Sequence, residues 1–110
     1  MPIPLDFNAT ALLMAPMQDV TTPAFVLLRK YYGGVSFYTM PMIFVNQIVT
    51  APKTIRHIAE FVENHRPGGV QLVGSGRSID DVKRAVEILN SYDFDVLDIN
   101  CGCPAKHTCR

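Results

Sequence analysis

Short apolar runs alternate with longer amphipathic stretches along the whole chain. Residues 11–17, Ala-Leu-Leu-Met-Ala-Pro-Met, are almost uniformly apolar and predict a strand buried on both faces, the habit of parallel sheets. Thr22 is a helix-capping residue, and Pro23 suits the first helical position, where its missing N–H would have no partner anyway. Phe25, Leu28 and Tyr32 keep one helical face, and Gly33-Gly34 ends it. Val35 to Met40 then reads as a second strand, completing a strand–helix–strand unit of about 30 residues. Residues 41–51 are apolar without a clear period and read as a loop with a short helical turn.

From Pro52 the positions Ile55, Ile58, Ala59 and Val62 define a second helical face, stopped by the stretch from Asn64 to Gly69. Val70 to Val73 predicts a third strand and Gly74 to Arg77 a polar turn. Ser78 caps a third helix with Asp80 and Asp81 in its first turn, where negative charge meets the positive end of the helix dipole. Its buried stripe is Ile79, Val82, Val86 and Leu89. A fourth strand, Asp95 to Asn100, runs into Cys101-Gly102-Cys103-Pro104. Such alternation predicts an α/β fold with a parallel sheet and helices outside it, and both a doubly wound sheet and a barrel satisfy it. In either, the carboxyl ends of the strands form the functional face.

Composition narrows the function classes. The chain has 110 residues with ten Lys+Arg against ten Asp+Glu, so affinity for nucleic acid through overall basic charge is excluded, while a local basic contact is not. At 48% hydrophobic and 18% charged it is not a disordered tail. A complete eight-stranded α/β barrel needs about 250 residues; four strands and three helices amount to roughly half of one. No apolar run reaches the ~20 residues of a membrane helix, which predicts no membrane association. Two prolines and no positive charge before the first apolar run are unlike a signal peptide. All three cysteines, Cys101, Cys103 and Cys109, sit in the last ten residues, which speaks for one local site in a reducing, cytoplasmic setting rather than a disulfide framework.

The strand ends carry the candidate chemistry. Gln71 is an amide inside an apolar strand, where it either bonds a neighbour or holds a polar ligand. Asp98 and Asn100 alternate on one face of the fourth strand. Gly74-Ser75-Gly76 lacks the third glycine of a dinucleotide fingerprint and the Gly-Lys-Ser/Thr of a triphosphate loop, so it reads as a tight turn. Cys101-x-Cys103 is too closely spaced for the usual zinc pairs. The alternative is one working thiol, Cys103, in a Gly-Cys-Pro turn, able to act as nucleophile or proton donor. His57 and His65 read as solvated or capping groups, and Lys106, His107 and Arg110 form a short basic stretch able to touch phosphate.

Met14-Ala15-Pro16-Met17, Val20-Thr21, Tyr38-Thr39, Pro52-Lys53-Thr54, Val70-Gln71-Leu72-Val73-Gly74-Ser75 and Asp98-Ile99-Asn100-Cys101-Gly102-Cys103-Pro104 occur in order at suitable distances. Together they resemble the N-terminal half of a tRNA dihydrouridine synthase. The resemblance implies a partial TIM barrel over residues 1–110, with the second half-barrel and a helical tRNA-gripping domain missing. It implies FMN as the flavin, NADPH as its reductant, and tRNA as the partner whose uridine is reduced. It also implies Cys103 as catalytic proton donor, Pro16, Met17, Gln18 and Gln71 as flavin-binding residues, and Asn100 as a contact to substrate or ring. Two departures stand out: Asp19 where many members have glycine, and Met40-Pro41 where members commonly place glutamate after Tyr-Thr. Another FMN barrel, such as one like dihydroorotate dehydrogenase, is the enzymatic alternative, and a non-catalytic half-barrel that self-associates through open sheet edges is the other.

Overall fold

The computed structural model describes residues 12–74 and 78–103. Expectations for Ala11, for Ser75 to Arg77, and for Pro104, Lys106, His107, Cys109 and Arg110 lie outside those residues. The elements run β1 (Leu13–Met14), α1 (Pro23–Tyr32), β2 (Phe37–Phe44), α2 (Val45–Thr50), a short 3₁₀ turn (Pro52–Ile55), α3 (Arg56–Asn64), β3 (Gly68–Val73), α4 (Ile79–Leu89) and β4 (Val96–Asn100). Both capping assignments hold: the Thr22 side chain accepts from the Phe25 N–H at 3.2 Å and that of Ser78 from the Asp81 N–H at 3.3 Å. Gly33, just past α1, has φ +75°, a backbone state open to glycine at no steric cost.

The four strands of the described residues are all parallel, and their spatial order is β1-β2-β3-β4. This order separates the two architectures. A doubly wound sheet reverses direction at a switch point, whereas here every strand lies beside its predecessor. Right-handed crossovers advancing in one direction place all helices on one face of the sheet. The buried core agrees: Met14, Tyr38, Met40, Ile43, Val70 and Leu72 of the sheet pack with Val26, Ile48, Ile55, Val62, Ala85 and Leu89 of the helical layer. The opposite face carries Gly69, Gln71, Val73, Val96, Asp98 and Asn100, as period-two alternation requires. The fold is a segment of a TIM barrel, with the second face turned to the barrel interior.

Four sequence expectations about the strands need correction, and two helical faces shift: Leu28 and Tyr32 of α1 and Ile79 of α4 are exposed, while Val26 and Ala85 are buried. The first strand is two residues long, and Leu13 is 55% exposed, because β1 has a neighbour on one side only among the described residues. Residues 41–44 continue β2 instead of forming a loop, and α2 follows at once with Val45 and Ile48 buried. Proline is normally excluded from a central strand. Pro41 is accommodated by a register shift between Met40 and Ile43, which adds one residue to β2, and Met42 there takes φ +25°. Third, Gly68 and Gly69 begin β3 and do not belong to the helix stop. The Tyr38 ring occupies the side-chain space of Gly68, where a Cβ would sit 2.6 Å from Tyr38 Cζ, and at Gly69 a Cβ would sit 2.4 Å from the Val96 carbonyl oxygen. Fourth, Asp95 precedes β4 and works as an anchor.

That anchor closes the amino-terminal end of the sheet. Asp95 accepts from Arg66 Nη2 at 2.6 Å and from the Gly68 N–H at 2.9 Å, while Arg66 Nη1 also reaches Asp93 at 2.6 Å. The Asp95 side chain is 3% exposed, so its charge is matched where water cannot serve it. Lys30 Nζ donates to the His65 carbonyl and lies 5.5 Å from the centre of the Tyr38 ring. His65 ends α3 with its ring stacked on Phe61 and Nδ1 2.8 Å from the Phe61 carbonyl oxygen; His57 is exposed on α3. This end of the barrel segment is built for stability, leaving the carboxyl ends of the strands for chemistry.

Candidate active site at the carboxyl ends of the strands

β3 and β4 pair so that Gln71 lies opposite Asp98 and Val73 opposite Asn100. On one face of a parallel pair, that register places Gln71 between two polar side chains of its neighbour. Gln71 Nε2 donates to Asp98 Oδ2 at 2.6 Å, and Asn100 Nδ2 donates to Gln71 Oε1 at 3.1 Å. Asn100 Oδ1 in turn accepts from the backbone N–H groups of Gly102 and Cys103, both at 3.0 Å. An aspartate, two amides and a turn are thus joined in one line from the middle of the sheet to its end.

Gln71 is 7% exposed, so an unpaired amide there would cost about 1–3 kcal/mol. Its two side-chain bonds remove that cost and still leave one N–H and one carbonyl lone pair. Asn100 keeps one further N–H. Cys103 is half-buried in the segment after β4, Cys101 is exposed, and neither forms a disulfide. The asparagine side chain bonding two successive backbone N–H groups gives the turn a defined shape.

Pro16, Met17 and Gln18 lie in the segment after β1. Strand spacing of about 4.8 Å puts β1 roughly 10 Å from β3, with β2 between. They are not hydrogen-bonded to Gln71. Their segment is shaped by Thr21, which is buried: its hydroxyl donates to the Ala15 carbonyl at 2.7 Å and accepts from the Met17 N–H at 3.1 Å. The Val20 and Thr21 N–H groups both bond the Met17 carbonyl. Asp19, at the tip of this turn, has φ +61°. Glycine enters that region freely and aspartate tolerates it, which accounts for the departure from glycine noted at this position. Gln18 is exposed and contacts Asp19.

An open cleft of about 610 Å³ separates this segment from the bulge of β2 and the start of α3, with Gln18, Met40, Pro41, Met42 and His57 among its walls. Sequence reasoning named Gln71, Asn100 and Cys103, which the fold brings into one line. It noted Asp98 without giving it a role, and missed Thr21 as the organiser of the first segment. The signal for Asp98 was its period-two spacing from Asn100. For Thr21 the signal was its place in the Val20-Thr21 motif, while its partners depend on how the turn closes. Among the described residues no helix is long and apolar enough to cross a membrane.

Comparison with known proteins places this geometry in context. A family model described as dihydrouridine synthase matches residues 13–110. The tRNA-dihydrouridine synthase B of Pasteurella multocida is 28% identical over 100 residues, which is 90% of this chain and 29% of that protein. A probable tRNA-dihydrouridine synthase of Rhodobacter capsulatus is 30% identical over 95 residues, covering 86% of this chain and 28% of its own length. The chain therefore spans less than a third of the curated relatives it matches. No solved structure matches it.

Proposed function

The chain belongs to the dihydrouridine synthase family, and on that premise we propose that it carries the proton-donating half of a flavin site that reduces uridine in tRNA to dihydrouridine. One observation carries the reading: the family match coincides with a line of side chains, Gln71 to Asn100 to the Cys103 turn, at the functional end of a barrel segment.

The donor set fits a flavin. Flavin rings and uracil both present an edge of alternating N–H and C=O groups, and the unused N–H and lone pair of Gln71 are complementary to such an edge. Met17, 44% exposed after β1, offers an apolar surface at the same end of the sheet. When bound, FMN reduced by NADPH supplies a hydride to carbon-6 of the base. The chain's own part is the proton. Cys103 gives its thiol proton to carbon-5 as the double bond is lost, and the thiolate is reprotonated from solvent. Asn100 holds the turn that presents the thiol and has an N–H to spare for base or ring. Pro16 and Gln18 would border a bound flavin from the side of β1. A uridine reaches this site only after leaving its stack, so the RNA partner is a tRNA whose base is turned out.

Titration of FMN into the protein carrying this chain, followed by flavin fluorescence, tests the reading. Saturable quenching is expected, weakened about tenfold in Gln71→Leu, the equivalent of about 1.4 kcal/mol for one hydrogen bond. Absence of saturable quenching in the unsubstituted protein would refute the flavin site.

A further inference from the structure

We infer that Asp98 is a positioning residue for Cys103, acting at a distance through the side chains of Gln71 and Asn100; the inference rests on Cys103 being the working thiol. Each link in the line has a donor end and an acceptor end, and their order is forced from both sides. An ionised carboxylate only accepts, so Gln71 must turn Nε2 towards Asp98, as it does at 2.6 Å. That leaves Oε1 towards Asn100, which must then present Nδ2. Asn100 Oδ1 is left facing the turn, where the N–H groups of Gly102 and Cys103 can only donate. Asp98 thus closes the one end of the line at which neither a backbone group nor an amide fixes the direction.

Without an acceptor at position 98, Gln71 loses the bond that holds Nε2 away from Asn100. Its amide is then held only by the 3.1 Å bond from Asn100 Nδ2, and whenever it reverses it sets Nε2 against Asn100 Nδ2, donor against donor. Asn100 can relieve this by rotating, which removes Oδ1 from the two N–H groups of the turn. The turn carrying the Cys103 thiol loosens although no residue in it has changed. A carboxylate's charge is not needed for this, only an acceptor in its place: asparagine can offer its own carbonyl oxygen at the same point, whereas leucine, of similar size, offers none.

The test is amide hydrogen exchange measured by NMR, together with the rate of Cys103 alkylation by iodoacetamide in a Cys101→Ser, Cys109→Ser background. In the unsubstituted chain the Gly102 and Cys103 amides should exchange about tenfold or more slowly than unstructured peptide amides. Asp98→Leu should raise both exchange rates about tenfold and change the alkylation rate. Asp98→Asn should leave both close to those of the parent. Equal exchange and alkylation in the parent and Asp98→Leu, with both folded, would overturn the inference. If Asp98→Leu does not fold, the parent measurement decides: unprotected Gly102 and Cys103 amides contradict the proposal, and so does loss of protection in Asp98→Asn. None of these readings uses flavin or RNA, so failure here is distinct from failure of the proposed reaction.

Discussion

Tyr38→Phe deletes one oxygen atom and leaves the rest of the ring in place. Tyr38 is 1% exposed, and its hydroxyl has no hydrogen-bond partner among the described residues. The ring meets Phe61 edge-on at 6.2 Å, lies near Lys30 and fills the space of Gly68, contacts that phenylalanine preserves. A buried hydroxyl without a partner costs roughly 1–3 kcal/mol relative to its hydrated state. The small void left by the oxygen takes back part of this gain, so the variant should be more stable by about 1 kcal/mol, or roughly 5 °C in Tm for a domain of this size. Urea unfolding should show a higher midpoint with an unchanged slope.

The same residue has a pH signature. Burial, and then the negative charge of Asp95, push the Tyr38 hydroxyl well above the ordinary phenol range. The folded chain therefore keeps a proton that the unfolded chain releases near pH 10. Stability from this group is complete below that pH and declines above it, by at most about 1.4 kcal/mol per pH unit. Tyr38→Phe should flatten that part of the profile. Destabilisation by Tyr38→Phe, with the alkaline slope intact, would refute the reasoning by showing that the hydroxyl has a partner worth keeping.

Gly69→Ala should destabilise by about 2–3 kcal/mol in urea unfolding, because its Cβ meets the Val96 backbone oxygen at 2.4 Å and backbone cannot move aside cheaply. Asp95→Ala should cost about 3 kcal/mol by the same measure: it strips Arg66 of its buried partner and leaves the Gly68 N–H unpaired. At the turn after β1, Asp19→Gly should hold or raise the thermal midpoint, while Asp19→Val should cost about 1–2 kcal/mol of stability and lower the midpoint by roughly 5–10 °C, since only the latter forces a branched side chain to φ +61°.

Most helices were legible because their signals are local. Thr22-Pro23 and Ser78 with Asp80 and Asp81 announce helix starts through groups a few residues apart, and Gly33-Gly34 announces an end. α2 was read only as a short helical turn without bounds, because it follows an element the proline had hidden. Pro41 argued for a strand end, and only the pairing of β2 with β3 shows that a one-residue bulge absorbs it. Gly68-Gly69 looked like a helix stop because the reason for both glycines lies in other strands, in Tyr38 and Val96. The site divides in the same way. Period-two spacing put Asp98 and Asn100 on one face, but the bonds through Gln71 depend on the register of β3 against β4, which no local pattern encodes.

The central claim, that Cys103 supplies the proton for uridine reduction in a dihydrouridine synthase site, is tested most directly by mass spectrometry of unmodified tRNA. The tRNA is incubated with FMN, NADPH and the protein carrying this chain, unsubstituted or as Cys103→Ala. Dihydrouridine should accumulate with the unsubstituted protein and fall by at least a hundredfold with Cys103→Ala, while NADPH still reduces the flavin in both. Equal dihydrouridine from the two proteins would contradict the account.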